Sequence, residues 1–196
     1  MIKKIIVASN NKNKIREIKA KLAGLDIEVL SQKEAGFNIE VEETGTSFEE
    51  NSMLKARAIY DLAKIPVIAD DGGLEVDFLN GRPGVYSARF CGPDATDKDK
   101  YMKILELMKD VKGDERAARF RCIISYIDEN GDSHAFEGIC NGKIANSPMG
   151  DNDFGYDPIF LVGDKTFAQI SQEEKNKISH RGRAIDKWVE YLKNIK

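Results

Sequence analysis

A chain of 196 residues can form one substantial core or two small lobes. Its 41% hydrophobic and 32% charged content reads as water-soluble and globular, and a net charge of −3 offers no broad basic field for nucleic acid. Cys91, Cys122 and Cys140 form no metal or redox spacing, two histidines argue against structural zinc, and an odd cysteine count suits a reducing cytoplasm.

The run from Met1 to Ala8 is too short for a secretion signal, and no stretch approaches a membrane span. Neither a membrane nor nucleic acid is therefore an expected partner. Within that run Ile5-Ile6-Val7-Ala8 predicts a buried first strand. Ser9-Asn10-Asn11-Lys12-Asn13-Lys14 follows. Small polar residues and lysines at a helix entry make a phosphate cradle, although the stretch has no glycine and is not a P-loop; it also reads as a capped loop with solvated lysines. The helix spans 12–23, with Ile15, Ile18 and Leu22 on one face and Gly24 as its stop.

Ile27 to Leu30 predicts a second strand. Glu40, Glu42 and Glu43 then precede a helix start at Ser47. Acids there are explained by the helix dipole, or they are magnesium ligands. Ser47 and Glu50 predict a capping box for a helix to about Ala63. On that helix Asn51 and Lys55 are four apart and share a face, with Lys55 placed to neutralise phosphate charge or simply to meet solvent. Pro66 to Ala69 predicts a central strand ending at Asp70-Asp71-Gly72-Gly73. Adjacent carboxylates at a strand end repel each other, and ligands of α/β sheets collect there, so the pair points to function.

Asn80-Gly81 marks a turn. Residues 97–111 predict a helix with Tyr101, Ile104, Leu105 and Met108 as its core stripe. Ala117–Ile127 and Ser133–Ala145 flank Asn130-Gly131 as a long hairpin. Residues 183–195 close the chain as a helix facing Ile185, Trp188, Val189 and Leu192 inward. The pattern predicts an α/β fold with a mixed sheet, its strand order open.

Phe154-Gly155-Tyr156-Asp157-Pro158 and Ser179-His180-Arg181-Gly182 together supply the parts of a clamp for a flat heterocycle. Phe154 offers a face, Asp157 an acceptor for a ring N–H, and His180 and Arg181 donors for a ring carbonyl. A 6-oxopurine presents that pattern, and adenine presents the reverse. Taken alone, the first motif also reads as a turn into Ile159-Phe160-Leu161-Val162, and the second as a helix-entry loop.

With Glu42-Glu43-Thr44-Gly45, Phe48-Glu49-Glu50-Asn51, Leu54-Lys55-Ala56, Ala69-Asp70-Asp71 and Pro83-Gly84-Val85-Tyr86-Ser87-Ala88-Arg89 between them, these motifs resemble the inosine/xanthosine triphosphate pyrophosphatase family over essentially the whole chain. The resemblance implies one domain over 1–196, an elongated two-lobed fold around a long mixed sheet flanked by helices, and a nucleotide cleft between the lobes. It further implies a homodimer that uses Mg2+ to cleave non-canonical purine nucleoside triphosphates (ITP, dITP, XTP) to monophosphate and pyrophosphate, and the cysteine usage makes the expected location cytoplasmic. By match of motif, Ser9, Asn10, Asn11, Lys12, Asn13, Lys14 and Lys55 would hold phosphates. Glu43 and Asp71 would handle metal and water, with Asp71 and Lys55 the catalytic pair. Phe154, Gly155, Tyr156, Asp157, Lys175, His180 and Arg181 would surround the base.

Three positions depart from the family's usual pattern. Gly72 replaces a serine, so a backbone N–H would have to serve for its hydroxyl. Asp153 stands for a glycine and Met149 for an arginine, which bears on affinity more than on reaction type. Two rival readings are a non-catalytic purine-nucleotide-binding regulator and a pyrophosphatase for other modified nucleotides. Glu43, Asp71 and Lys55 argue against the first, and the base-clamp residues against the second.

Overall fold

The computed structural model describes residues 3–194. Met1, Ile2 and the last position of the predicted final helix, residue 195, lie outside the described residues. The strands are β1 (Lys4–Val7), β2 (Glu28–Ser31), β3 (Val67–Val76), β4 (Ala117–Ile127), β5 (Ser133–Ile144), β6 (Phe160–Val162) and β7 (Lys165–Thr166). The helices are α1 (Lys12–Leu22), α2 (Phe48–Ala63), α3 (Asp97–Leu107), α4 (Gln172–Ile178) and α5 (His180–Asn194). The sheet order is β2-β1-β3-β4-β5-β6-β7, with β1 parallel to β2 and β3, and β6 antiparallel to β5 and β7. The sheet is thus mixed, as predicted. The connection from β4 to β5 is far too short for a parallel crossover, so it is a hairpin, closed by Asp128 N–H donating to Asp132 O.

The chain divides into two compact units. The first holds the residues up to Asp71, Cys122–Gly138 and the chain from Arg181 onward; the second holds Gly72–Arg121 and Ile139–His180. In the first unit the period of two along a strand sets the layers. Ile5 and Val7 pack with Ile18 and Leu22 of α1 and with Ala184, Ile185 and Trp188 of α5. Ile6 and Ala8 pack with Ala56, Ile59 and Tyr60 of α2. Strands covered on both faces must be apolar throughout, which is why Ile5 to Ala8 shows no polar alternation. The second unit has its own core, with Leu74, Val76, Tyr101, Ile104, Met108, Phe120, Ile159, Phe160 and Phe167.

Several boundaries differ from expectation, each for a local reason. β3 does not stop at Asp70; it runs to Val76. The Ser47 capping box is half formed. Ser47 Oγ accepts from Glu50 N–H at 3.1 Å, but the Glu50 carboxylate takes Thr46 N–H and Oγ–H instead of the cap's own amide. α3 ends at Leu107, short of residue 111. The Met108 and Val111 carbonyls there accept from Arg116 Nη1 at 2.8 and 2.9 Å, and Val111 N–H closes a tighter turn on Met108 O at 3.0 Å. α5 begins at His180, three residues early. Ser179 (φ −69°, ψ 156°) is the extended residue separating it from α4, so Gly182 lies inside the helix instead of ahead of it.

Arg116 also donates to the Ile144 and Ala145 carbonyls at 2.7 and 2.6 Å. A buried guanidinium thus joins the end of α3 to the end of β5. Arg116→Met keeps much of the volume and takes the buried donor away from all four carbonyls, of which Met108 O retains the Val111 N–H. It is expected to cost about 3 kcal/mol or more of unfolding free energy. Chemical denaturation checks this, and a loss below about 1 kcal/mol would show that the carbonyls find other partners.

Candidate active site

The continuation of β3 through the double aspartate decides the site. Alternation sends Ile68 toward α1 and α5, and Val67 and Ala69 toward α2. Asp70 therefore shares the face of Ile68, and Asp71 that of Ala69. The two carboxylates are not a like-charge pair in one pocket; each meets the cations of a different layer. Asp70 Oδ2 pairs with Lys14 Nζ of α1 at 3.0 Å and accepts from Arg181 Nε of α5 at 3.1 Å. Asp71 Oδ1 lies 3.4 Å from Lys55 Nζ of α2, which also donates to Glu43 Oε1 at 2.6 Å.

Electrostatics separates the two acids further. Burial would raise Asp70, but Lys14 and Arg181, with Lys55 behind them, hold it well below the usual carboxylate range. It is a fixed anion. Burial pushes Asp71 up; Lys55 and Lys14 oppose this, Glu43 and Asp70 add to it, and the net direction is upward. Asp71 is thus the more basic of the two. Burial alone would lower Lys55; Asp71, Asp70 and Glu43 outweigh it, so the amine stays an ammonium ion.

Arg181 Nη1 also donates to Glu17 Oε2 of α1. Burial would lower the guanidinium's pKa, but Asp70 and Glu17 raise it. Its resolved bonds thus run to acids of the first unit. Glu17 went unnoticed in the sequence because it lies beside the apolar stripe of α1 and belongs to no motif. Its only signal is a carboxylate at a buried helical position.

The loop after β1 divides its residues between tasks. Asn11 caps α1, its Oδ1 accepting from Asn13 and Lys14 N–H at 3.0 and 3.2 Å, and Ser9 Oγ accepts from Asn11 N–H. A phosphate using those two amides would have to displace the Asn11 side chain. Ser9, Asn10 and Lys12 line a cavity of about 660 Å³ with Arg16 and Lys33, whereas Lys14 turns to Asp70.

Metal fit rests on the carboxylates. Glu43 and Asp71 converge on one cation, Lys55. Asp70 Oδ1 and Asp71 Oδ2 are buried and meet no hydrogen-bond partner among the described residues. Glu42 is exposed. No cluster of three or more acids, histidines or cysteines suited to a metal occurs among the described residues. Two carboxylates suit Mg2+, which is commonly held by one or two acids together with substrate phosphates and not by an all-protein cage.

The second unit contains the remaining predicted base residues. Asp157 and Lys175 are both buried and pair at 2.5 Å. Lys175 Nζ stands 5.1 Å from the Phe154 ring centroid, and Asn152 Nδ2 lies 3.4 Å from Asp157 Oδ2. Asp157, read from sequence as an acceptor for the base, thus also fixes a lysine over Phe154. Gly155 takes φ +59°, a left-handed conformation that favours glycine, and its N–H donates to Asp97 Oδ2 at 2.7 Å. Tyr156 OH donates to Ser87 O at 2.8 Å, anchoring the motif. His180 is buried and stacks on Phe120, with centroids 4.7 Å apart and planes 10° apart. Gly72 opens this unit's part of β3. Met149 contributes backbone bonds, its carbonyl accepting from Thr166 Oγ1 at 2.8 Å, while Asp153 is exposed.

Acids and ammonium groups gathered around β3 in the first unit, and a lysine held over a half-buried aromatic ring in the second, define an α/β protein equipped to handle a polyanion. The chain belongs to the Ham1 family, whose pattern matches residues 5–191. It is 48% identical to the dITP/XTP pyrophosphatase of Clostridium perfringens over 99% of both chains. It is 42% identical to that of Escherichia coli K12, over 98% of this chain and 100% of the relative. The solved Ham1 protein of Staphylococcus aureus superposes with a TM-score of 0.89 at 42% identity, covering 99% of this chain and 100% of that one. The resemblance read from the motifs and the mixed-sheet α/β fold are both borne out.

Proposed function

We propose that this chain is a Mg2+-dependent pyrophosphatase that hydrolyses ITP, dITP and XTP to monophosphate and pyrophosphate. The observation that carries the reading is Lys55 held between Glu43 and Asp71, with Asp71 Oδ2 buried and unmatched and its pKa raised. The names of the relatives support the substrate class.

Lys55 meets the triphosphate's charge, and Lys14, locked to Asp70, sets the potential at the phosphate loop. Asp71 orients a water for attack on the α-phosphorus and takes its proton; the bond to the bridging oxygen breaks and pyrophosphate leaves. Glu43 and Asp71 are the residues that would hold Mg2+, which when bound supplies charge neutralisation on the phosphates. Phe154 stacks on the base, and Lys175, held by Asp157, supplies a donor-only group that favours a carbonyl.

The test is pyrophosphate release from ITP with Mg2+ and with excess chelator. Full turnover in chelator would remove the metal from the reading; binding without turnover would favour a nucleotide-sensing regulator.

Lys55→Ala is expected to raise KM and lower kcat together, because phosphate charge is present in the ground state and shifts during reaction. Unchanged steady-state kinetics would return Lys55 to a purely structural ion pair.

The reading makes the chain a single two-lobed domain and a homodimer, both carried by the family resemblance, and places it in the cytoplasm, which its odd cysteine count suits. No helix among the described residues is long and apolar enough to cross a membrane. Light scattering at micromolar concentration should give the dimer mass; a monomer would remove that part and leave the chemistry standing.

A further inference from the structure

We propose that Asn51 is a further residue of this reaction, the donor that, opposite Asp71, holds the water attacking the α-phosphorus. The inference rests on the hydrolytic reading above and adds a residue to it.

Asn51 sits in the first turn of α2 and is fully buried, at 0% exposure. Its Oδ1 accepts from Gly45 N–H at 2.8 Å. That bond ties the segment carrying Glu43 to α2. It also explains Gly45, since a Cβ there would stand 2.7 Å from Asn51 Oδ1 and 2.6 Å from Glu50 Cβ. The clasp uses only half of the carboxamide. Asn51 Nδ2 is buried and meets no partner among the described residues. A buried N–H donor left unmatched is costly, and such groups in folded proteins call for a ligand or a catalytic reason.

The surroundings narrow the choice. Asn51 lies one turn before Lys55 on the same face of α2. Lys55 reaches Glu43 and Asp71, and Asp71 Oδ2 is the unmatched acceptor of that group. One donor and one acceptor need a partner that both gives and receives a hydrogen bond. A metal ion answers only the carboxylate, and a phosphate oxygen answers only the amide. A water answers both. It gives one O–H to Asp71 and accepts from Asn51 on one lone pair, leaving the other lone pair for phosphorus. As the new P–O bond forms and the bond to the pyrophosphate oxygen breaks, the proton passes to Asp71. Asn51 neither gains nor loses a proton, so its part is to orient the water.

The test uses the full chain, ITP and a pyrophosphate readout. Asn51→Ala is expected to lower kcat about 10- to 100-fold, the scale of one hydrogen bond at a reacting group, with KM moved less than about threefold. Combined with Asp71→Asn, it should slow the enzyme little beyond Asp71→Asn alone, because the two side chains hold the same water. Multiplicative losses in the double variant would place Asn51 outside that water's shell and overturn the proposal. A raised KM with kcat intact would assign the donor to a phosphate oxygen and overturn it too. Should Asn51→Ala fail to fold, Asn51→Asp keeps the acceptor for Gly45 and removes the donor. A normal kcat there would show that the clasp is the residue's whole role. No turnover by the unaltered chain removes the reaction and this role together; equal turnover by the unaltered chain and the variants removes the role alone.

Discussion

Asp71→Asn is expected to lower kcat for ITP by about 100-fold or more while KM changes little. The substitution keeps the side chain's shape and its place on the α2 face of β3. It removes the charge that faces Lys55 at 3.4 Å and the acceptor that would take a proton from water. Burial already makes Asp71 more basic than an ordinary aspartate, so the lost group is suited to receiving that proton. The neighbouring acid is a control. Asp70 is locked to Lys14 and Arg181, so Asp70→Asn should act mainly through stability and through release of those two cations. Purified, folded Asp71→Asn with near-normal kcat would show that the water is held elsewhere.

Base choice is the second large effect. ITP and XTP should exceed ATP by roughly 100-fold or more in kcat/KM. Lys175, fixed by Asp157 beside Phe154, can only donate. A 6-oxo group accepts from such a donor, whereas adenine's amino group sets donor against donor and its N1 offers no proton to a carboxylate. Each unmatched buried group costs on the order of 1–3 kcal/mol, and two of them give the stated ratio. GTP shares O6 and N1–H with ITP, so its rejection must arise at the 2-amino group; xanthine carries an oxygen there. Steady-state kinetics over this panel decides the matter. Comparable kcat/KM for ATP and ITP would refute the base pocket even if the phosphate chemistry held.

The chain itself determined whatever depends on near neighbours. The apolar stripe marked α1, and α2 spans Phe48–Ala63 between its caps Ser47 and Lys64, as the Ser47 cap predicted. Thr96 closed a full capping box with Asp99 ahead of α3, and Asn130-Gly131 turned the hairpin. Periodicity, caps and turns are local, and a single sequence carries them. The motifs also placed acids and lysines where strands end.

Only the tertiary structure decided which acid meets which cation. The double aspartate read as the end of a strand, yet β3 continues to Val76, so alternation sends Asp70 and Asp71 to opposite faces. Arg181 reaches Glu17 from 164 residues away, and Lys175 reaches Asp157 from 18. The short β7 and α4 had too few residues to show a period. Strand register and helix packing are set by contacts between segments remote in the chain. Sequence spacing therefore supplied the charges, and packing alone fixed their pairing.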